Sequence, residues 1–157
     1  MKRLALLAAV VVAVSVVAPS SASALIQIDR GIAGARLGNT KAQVRAALGQ
    51  PRRVVNGRNE FGPFTQFRYA GGIIVTFQSG NTVTAVQTTG LGDRTARGVG
   101  VRSTGRAVRR RVPGLRCTAS GNLRICETGT GLPGQRVTAF FIRSGRVFRV
   151  TVAFVID

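Results

Sequence analysis

The strongest local signal in this chain is a short helix whose beginning and end are both specified by the sequence. Thr40 and Gln43 have the spacing of a capping box, in which each side chain satisfies the backbone N–H group of the other residue. Gly49 permits a left-handed closing residue, and Pro51 prevents the helix from continuing. Residues at helical spacing form one narrow apolar face: Val44, Ala47 and Leu48. The sequence therefore predicts a short helix that precedes strand-like sequence.

The same pattern recurs further along the chain, at a separation of about sixty-five residues, and such self-similarity indicates an internal repeat. Ser103 or Thr104 is predicted to begin a second short helix, which Pro113 ends. A hairpin pattern recurs in the same order, with Val75, Phe77, Ser79 and Gly80 opposite Phe140, Ile142, Ser144 and Gly145. We therefore interpret residues 25–92 and 93–157 as two copies of one unit.

These elements predict an α+β fold. Each of two tandem units has short helices followed by an antiparallel sheet, the two sheets are merged, and one sheet face stays open. Residues 26–36 are predicted to form one weak helical turn. Asn56-Gly57 is a strong two-residue turn signal and predicts a hairpin there, after a short strand at residues 53–55.

The hairpin loops decide which residues face the core. If residues 78–80 and 143–145 are three-residue loops, Val75 faces Val83 and Phe140 faces Phe148. The predicted buried face then consists of Ile73, Val75, Phe77, Val83, Ala85, Phe140, Ile142, Phe148, Val150, Val152 and Phe154. The opposite, partly apolar face carries Ile74, Thr76, Thr84, Phe141, Arg149 and Thr151. Because no predicted helix is left to cover it, we expect these six residues to bind a partner.

The first 24 residues have the pattern of a secretory signal peptide. Lys2 and Arg3 precede a mostly apolar run at residues 4–18, and Ala22-Ser23-Ala24 is a small-residue cleavage motif. The apolar run is shorter than the about twenty residues that a membrane span needs. We expect a mature chain without a membrane span that is secreted, either extracellular or associated with the cell envelope.

The mature chain is strongly basic. Without Lys2 and Arg3, 21 of the 23 basic residues remain against five acidic residues, a net charge of +16. Such an imbalance attracts acidic proteins and anionic polymers. The expected partners are a protein at or outside the cell surface and, as an alternative, an anionic polymer.

The two cysteines predict one disulfide, because exported proteins fold in an oxidising compartment. Gly121-Asn122 is predicted to be a two-residue hairpin turn, which brings Cys117 directly opposite Cys126. The pair is of the non-hydrogen-bonded kind, in which the Cα atoms approach to about 4.5 Å. This distance suits a disulfide.

One motif resembles a known family. It runs Leu37-Gly38-x-Thr40-x-x-x-Val44-x-x-x-Leu48-Gly49-x-Pro51, followed by Ile74-Val75-Thr76-Phe77-x-Ser79-Gly80. It is similar to the SmpA/OmlA domain of barrel-assembly lipoproteins. The tandem arrangement resembles the β-lactamase inhibitor protein family, which has two copies of that unit. The resemblance implies a secreted protein-binding module of that fold, of which an inhibitor is one kind.

The chain lacks the usual apparatus of an enzyme. It has no histidine, and its five acidic residues are scattered. General acid–base and metal chemistry both depend on clusters of such groups. We therefore expect no catalysis, no cofactor and no metal.

An arginine-rich second helix supports the alternative function. Five arginines lie on or beside it: Arg102, Arg106, Arg109, Arg110 and Arg111. Four of them, all but Arg111, fall at helical spacing and predict a single stripe. Guanidinium groups bind phosphates and carboxylates in pairs, so the stripe predicts electrostatic binding of envelope polyanions or extracellular nucleic acid. The other interpretation is a solvated helix face.

Overall fold

The structure, a computed structural model, describes residues 25–156, so the predicted signal peptide at residues 1–24 lies outside the described residues, as does Asp157. The described part has two α-helices, α1 (Lys41–Leu48) and α2 (Gly105–Arg111). Its twelve strands are β1 (Leu25–Gln27), β2 (Gly31–Ile32), β3 (Ala35–Arg36), β4 (Arg53–Asn59), β5 (Gly62–Arg68), β6 (Ile73–Gln78), β7 (Ala85–Thr88), β8 (Arg94–Thr95), β9 (Arg116–Ser120), β10 (Leu123–Glu127), β11 (Arg136–Arg143) and β12 (Arg146–Phe154).

The α+β prediction is wrong, because the described chain is mostly β. Eight strands form one antiparallel sheet in the order β4-β5-β6-β7-β12-β11-β10-β9. Four short strands form a second sheet in the order β3-β2-β1-β8, in which β1 and β8 are parallel. The small sheet joins strands from both predicted units, so the chain is not two successive helix-then-sheet units.

Both helices begin where the sequence places their caps. The Thr40 hydroxyl accepts a hydrogen bond from the Gln43 backbone N–H at 3.3 Å, and the Gln43 side chain accepts one from the Thr40 N–H at 2.8 Å. Gly49 follows α1 with a φ of 78°. Thr104, rather than Ser103, caps α2 by accepting from the Ala107 N–H.

Residues 26–36 form strands β1, β2 and β3 instead of the predicted helical turn. Gly31 explains the tight packing, since a Cβ atom there would lie 2.0 Å from the Ala35 carbonyl oxygen. The loop between β1 and β2 is anchored by Asp29, whose carboxylate accepts hydrogen bonds from the hydroxyls of Thr128, at 2.5 Å, and Thr138, at 2.8 Å. These contacts span about a hundred residues of sequence, and local periodicity cannot anticipate them.

The predicted hairpin turn at Asn56-Gly57 is also wrong. Strand β4 runs through both residues, which pair with Thr65 and Phe64 of β5, and the chain turns after Asn59 instead. Gly57 has a packing role, because a Cβ atom there would lie 2.5 Å from Cζ of Phe64. The missing side chain makes room for the aromatic ring across the strand pair.

The β6–β7 hairpin has a longer loop than predicted. Val75 pairs with Val86, not with Val83. Val83 is still fully buried, but it exchanges backbone hydrogen bonds with Gly38 and Asn39, just before α1. Ala85 is half-buried, and Val86 takes its expected place in the core.

The β11–β12 hairpin has a shorter loop than predicted. Ser144 and Gly145 form a two-residue turn, with φ angles of 49° and 74° that match the right-handed twist of the strands. A bulge then shifts the register between Phe141 and Ile142. As a result Val147 is buried, whereas Phe148 is half-buried and not a core residue.

The core lies on one face of the large sheet. Phe67, Phe77 and Phe140 are at most 1% exposed, and the rings of Phe67 and Phe77 make an edge-to-face contact at 4.8 Å. The covering elements contribute fully or almost fully buried side chains: Val44 from α1, Val108 from α2, Ile26 from β1 and Ile32 from β2. The helices and the small sheet therefore cover one face, and the residues of the other face stay partly exposed.

Candidate binding site on the open sheet face

The six predicted partner-binding residues are all half-buried: Ile74, Thr76, Thr84, Phe141, Arg149 and Thr151. We refer to the partly exposed side of the large sheet as the open face. Ile74 pairs with Gln87, which pairs with Thr151, so one row crosses strands β6, β7 and β12. Phe141 and Arg149 pair directly across β11 and β12. Thr84 differs from the others, because its hydroxyl already hydrogen-bonds the backbone of Thr76.

Phe141, Phe148, Arg143 and Arg149 form what we call the aromatic–arginine cluster. Cζ of Arg149 lies 3.8 Å from the centre of the Phe141 ring and 5.8 Å from that of Phe148. The two rings meet edge to face at 6.3 Å. Arg143 lies over the Phe148 ring, with its Cζ 4.9 Å from the ring centre. Each such cation–π contact contributes about 0.5–2 kcal/mol, depending on exposure.

Stacking leaves Arg149 partly desolvated. Burial lowers the pKa of its guanidinium from the ordinary value, and the group stays charged at neutral pH because an arginine is not deprotonated in proteins. Within residues 25–156, buried Nε of Arg149 and Oγ1 of Thr151 have no hydrogen-bond partner. A cation held in place by two rings loses little side-chain freedom when a carboxylate binds it.

Sequence reasoning missed Phe148 and Arg143. Both depend on the two-residue turn at Ser144-Gly145 and the bulge that follows it, which together turn Phe148 onto the open face beside Phe141. Ser-Gly marks a turn but does not fix its length, since the same dipeptide at Ser79-Gly80 lies in the longer loop between β6 and β7.

A groove of about 510 Å³ adjoins the cluster at Phe148. Leu91 and Val101 contribute apolar surface to it, and Leu91 is 61% exposed. Arg102 and Arg146 lie on its rim together with Arg143 of the cluster. The open face therefore continues into a groove with an apolar lining and a cationic rim.

The five arginines predicted to bind a polyanion are divided among four places. Arg102 precedes α2 in a turn with a φ of 72° and lies at the groove beside Phe148. Arg106 and Arg109 line a different groove, between α2 and the β9–β10 hairpin. Arg111 exchanges side-chain to backbone hydrogen bonds with Arg97. The fifth residue, Arg110, is exposed on α2.

The predicted disulfide is confirmed. Cys117 of β9 and Cys126 of β10 are directly opposite, their Cα atoms are 4.0 Å apart, and their sulfur atoms are bonded. Cys126 is fully buried and pairs with Phe140 on its other side. The bridge therefore ties the edge strand β9 to the core face.

The acidic residues at the ends of the small sheet have structural roles. Asp29 anchors the β1–β2 loop, and buried Asp93 hydrogen-bonds the Thr88 hydroxyl. Among residues 25–156, no group of three or more histidine, cysteine or acidic side chains is placed to hold a metal ion. In the same part of the chain, no helix is long and apolar enough to cross a membrane.

The fold thus defines a mostly β protein with one large antiparallel sheet that is covered on one face. No protein-family model matches the sequence, and no curated protein does. A DUF4309 family protein from Bacillus subtilis has a similar solved structure, with a TM-score of 0.50 and 20% identity, over 77% of this chain and 82% of that chain. At this identity, the likeness shows the fold alone.

Two further solved structures match less well. An extracellular protein containing a SCP domain from Bacillus anthracis has a TM-score of 0.49 and 10% identity. A cysteine-rich secretory protein from Staphylococcus aureus has a TM-score of 0.46 and the same identity. Each match covers 75% of this chain and 44% of the other, so this chain spans less than half the length of those two proteins.

Proposed function

We propose that this protein is exported and works outside the cell, or at its envelope, as a non-catalytic protein that captures a protein partner on the open face. Export is supported by the signal-peptide pattern at residues 1–24 and by the Cys117–Cys126 disulfide. The resemblance to the SmpA/OmlA family remains a proposal that points to the same class of function. Inhibition of an enzyme is one form that such capture can take.

The observation that carries this proposal is the stacking of Arg149 on Phe141, with Phe148 beside them, on a partly exposed sheet face. Aromatic and arginine side chains dominate the few residues that supply most of the energy in protein interfaces. Stacking on the two rings restricts the arginine before a partner arrives, which reduces the entropy cost of binding.

The positive charge of the chain indicates that the partner has an acidic surface. The mature chain carries a net charge of +16, and its open face continues into the arginine-rimmed groove at Phe148. An acidic partner surface would associate rapidly with such a protein, since long-range attraction raises the association rate. The acidic group that reaches Arg149 would be a carboxylate, for which a guanidinium provides paired donors.

Capture by the immobilised mature protein, from the producer's culture medium and envelope extract, tests this function. We expect Phe141→Ala to reduce recovery of the partner at least about fivefold, the equivalent of the usual 1 kcal/mol hot-spot threshold. Leu132→Ala is the matched control, because Leu132 is 59% exposed in a loop and removing it leaves the cluster intact. Recovery by this control should equal that of the wild type.

A second measurement locates the contact. A photo-crosslinking phenylalanine analogue placed at Phe148 should crosslink to the captured protein, whereas the same analogue at Leu132 should not. The triple change of Arg106, Arg109 and Arg110 to glutamine should alter mainly salt dependence and association rate. If that triple change abolishes capture while Phe141→Ala leaves it intact, the open face is not the binding site.

A further inference from the structure

A second candidate site lies away from the open face, in the groove between α2 and the β9–β10 hairpin. The groove has a volume of about 520 Å³. Arg106 and Arg109 of α2 and Arg124 of β10 line it from two sides, and Leu123 and Ile142 contribute apolar surface. Three arginines from two separate elements therefore surround one concave surface.

The local packing brings the Arg109 guanidinium back over the beginning of α2. Nη1 of Arg109 lies 3.8 Å from the position that a Cβ atom on Gly105 would occupy, and Ile142 Cδ1 lies 3.4 Å from the same position. Gly105 thus leaves room for both side chains. One guanidinium nitrogen of the exposed Arg109 therefore lies near the apolar side chain of Ile142 at the beginning of α2.

The charges of the lining residues favour a negatively charged ligand in this groove. None of the described residues that line it is acidic. The mature chain has 21 basic residues and only five acidic ones, so acidic side chains can neutralise only a minority of the cations. Three guanidinium groups around one concave surface therefore favour an external anion.

The lining also restricts the kind of anion. No aromatic residue is among the described lining residues, so the groove lacks the rings on which the bases of single-stranded nucleic acid stack, and such stacking is a principal source of affinity for single strands. Guanidinium forks match the oxygens of phosphate groups and bind them in pairs. We infer that this groove binds the phosphate groups of a polymer that lacks bases.

This site is independent of the proposed function, because its three arginines are not part of the aromatic–arginine cluster. Arg124 is the decisive residue, since it comes from β10 and is absent from the predicted helix stripe. A site formed by the helix alone would not depend on it.

The test uses the full mature protein, with its disulfide intact, and inorganic polyphosphate as the probe. Binding is measured by calorimetry between about 50 and 200 mM salt, where phosphate-dependent binding weakens steeply. We expect the triple variant R106Q/R109Q/R124Q to lose at least tenfold in affinity. The slope of log affinity against log salt should become shallower by about two to three, roughly one for each arginine that is replaced.

The matched control is R30Q/R36Q/R52Q, which removes the same charge from three exposed arginines outside this groove. It should lose less than threefold. Equal losses in the two triple variants would mean attraction by net charge alone and would overturn the site. Polyglutamate or single-stranded DNA of matched charge that binds as tightly as polyphosphate would overturn the ligand class. If the R106Q/R109Q/R124Q variant fails to fold, the single variant R124Q replaces it. We then expect R124Q to lower the affinity for polyphosphate at least threefold. An unchanged affinity would contradict the site.

Discussion

The two faces of the large sheet are made from the same strands and differ in how deeply their side chains are buried. On the covered face, Phe140 and Val150 are fully buried and oppose each other across β11 and β12. The next pair toward the turn, Phe141 and Arg149, also lies directly opposite across β11 and β12 but stays half-buried. Because neighbouring residues point to opposite sides of a strand, the same hairpin supplies both core packing and a charged, aromatic surface. Alternate residues of the hairpin therefore supply the core and the partly exposed face on which we propose that a partner binds.

The largest expected effect comes from removing a ring on the covered face. Phe140→Ala should lower the free energy of unfolding by about 3–5 kcal/mol, because it leaves a cavity among close-packed side chains. Phe141→Ala, the adjacent change on the open face, should cost less, about 1–2 kcal/mol, since part of that surface is already exposed and the loss is mainly that of the ring contacts with Arg149 and Phe148. Urea denaturation of both variants measures the difference, and equal losses would contradict the assignment of the two faces.

The disulfide should come second. It closes a loop of ten residues from Cys117 to Cys126, and the loss of that constraint should lower the free energy of unfolding by about 2–3 kcal/mol. Comparing thermal unfolding of the oxidised protein with that of a Cys117→Ala/Cys126→Ala variant measures it. Capture of the partner by the folded variant should be unchanged, because the bridge lies on the covered face. Free thiols in the exported protein would refute the bridge.

A third, smaller effect tests packing at the far end of the large sheet. Gly57→Ala would place a Cβ atom 2.5 Å from Cζ of Phe64, so the ring must move, at an expected net cost of about 1 kcal/mol. In a Phe64→Ala background the same change should stabilise the protein by about 0.5–1 kcal/mol, because alanine restricts the unfolded chain more than glycine does. Denaturant midpoints of the wild type, the two single variants and the double variant measure both effects. If Gly57→Ala changes stability in the same direction with and without Phe64, the steric explanation is excluded.

The smallest effect concerns the coupling within the aromatic–arginine cluster. A double-mutant cycle of Phe141→Leu and Arg149→Lys should give a coupling of about 0.5–1 kcal/mol, since lysine and leucine both lack the planar group that stacking needs. Raising the salt concentration should change this coupling little, because the interaction is partly buried. A coupling of zero would mean that the two side chains are near each other without interacting.

The parts of the fold that depend on local chemistry could be predicted from the sequence. The capping box at Thr40 and Gln43 and the pairing of Cys117 with Cys126 are both confirmed, and each depends on only a few neighbouring residues. The parts that depend on distant contacts could not be predicted. Strands β1 and β8 pair across almost seventy residues of sequence, and strands β2 and β3 have only two residues each, too few to show an alternating pattern.

The site could be predicted in part for the same reason. Phe141 and Arg149 lie on the open face both with the predicted three-residue loop and with the observed two-residue turn. The extra residue of the bulge compensates for the shorter loop, so the two residues stay on the same side of the sheet. Phe148 lies within the bulge itself, where one extra residue reverses the direction of the side chain. The three-residue loop that we predicted at residues 143–145 has no bulge, and it therefore placed Phe148 in the core instead of on the open face.

The order of strands in the large sheet has a consequence for self-association. Strands β4 and β9 lie at its two ends, so each presents backbone groups on which another chain could add a strand. Arg53 and Arg58 are exposed on β4, and Arg116 is exposed on β9. Charged side chains on edge strands are one of the devices by which proteins discourage the addition of a further strand, because like charges on two approaching edges repel. We therefore expect the arginines of β4 and β9 to oppose edge-to-edge association of two copies, whatever else the protein binds.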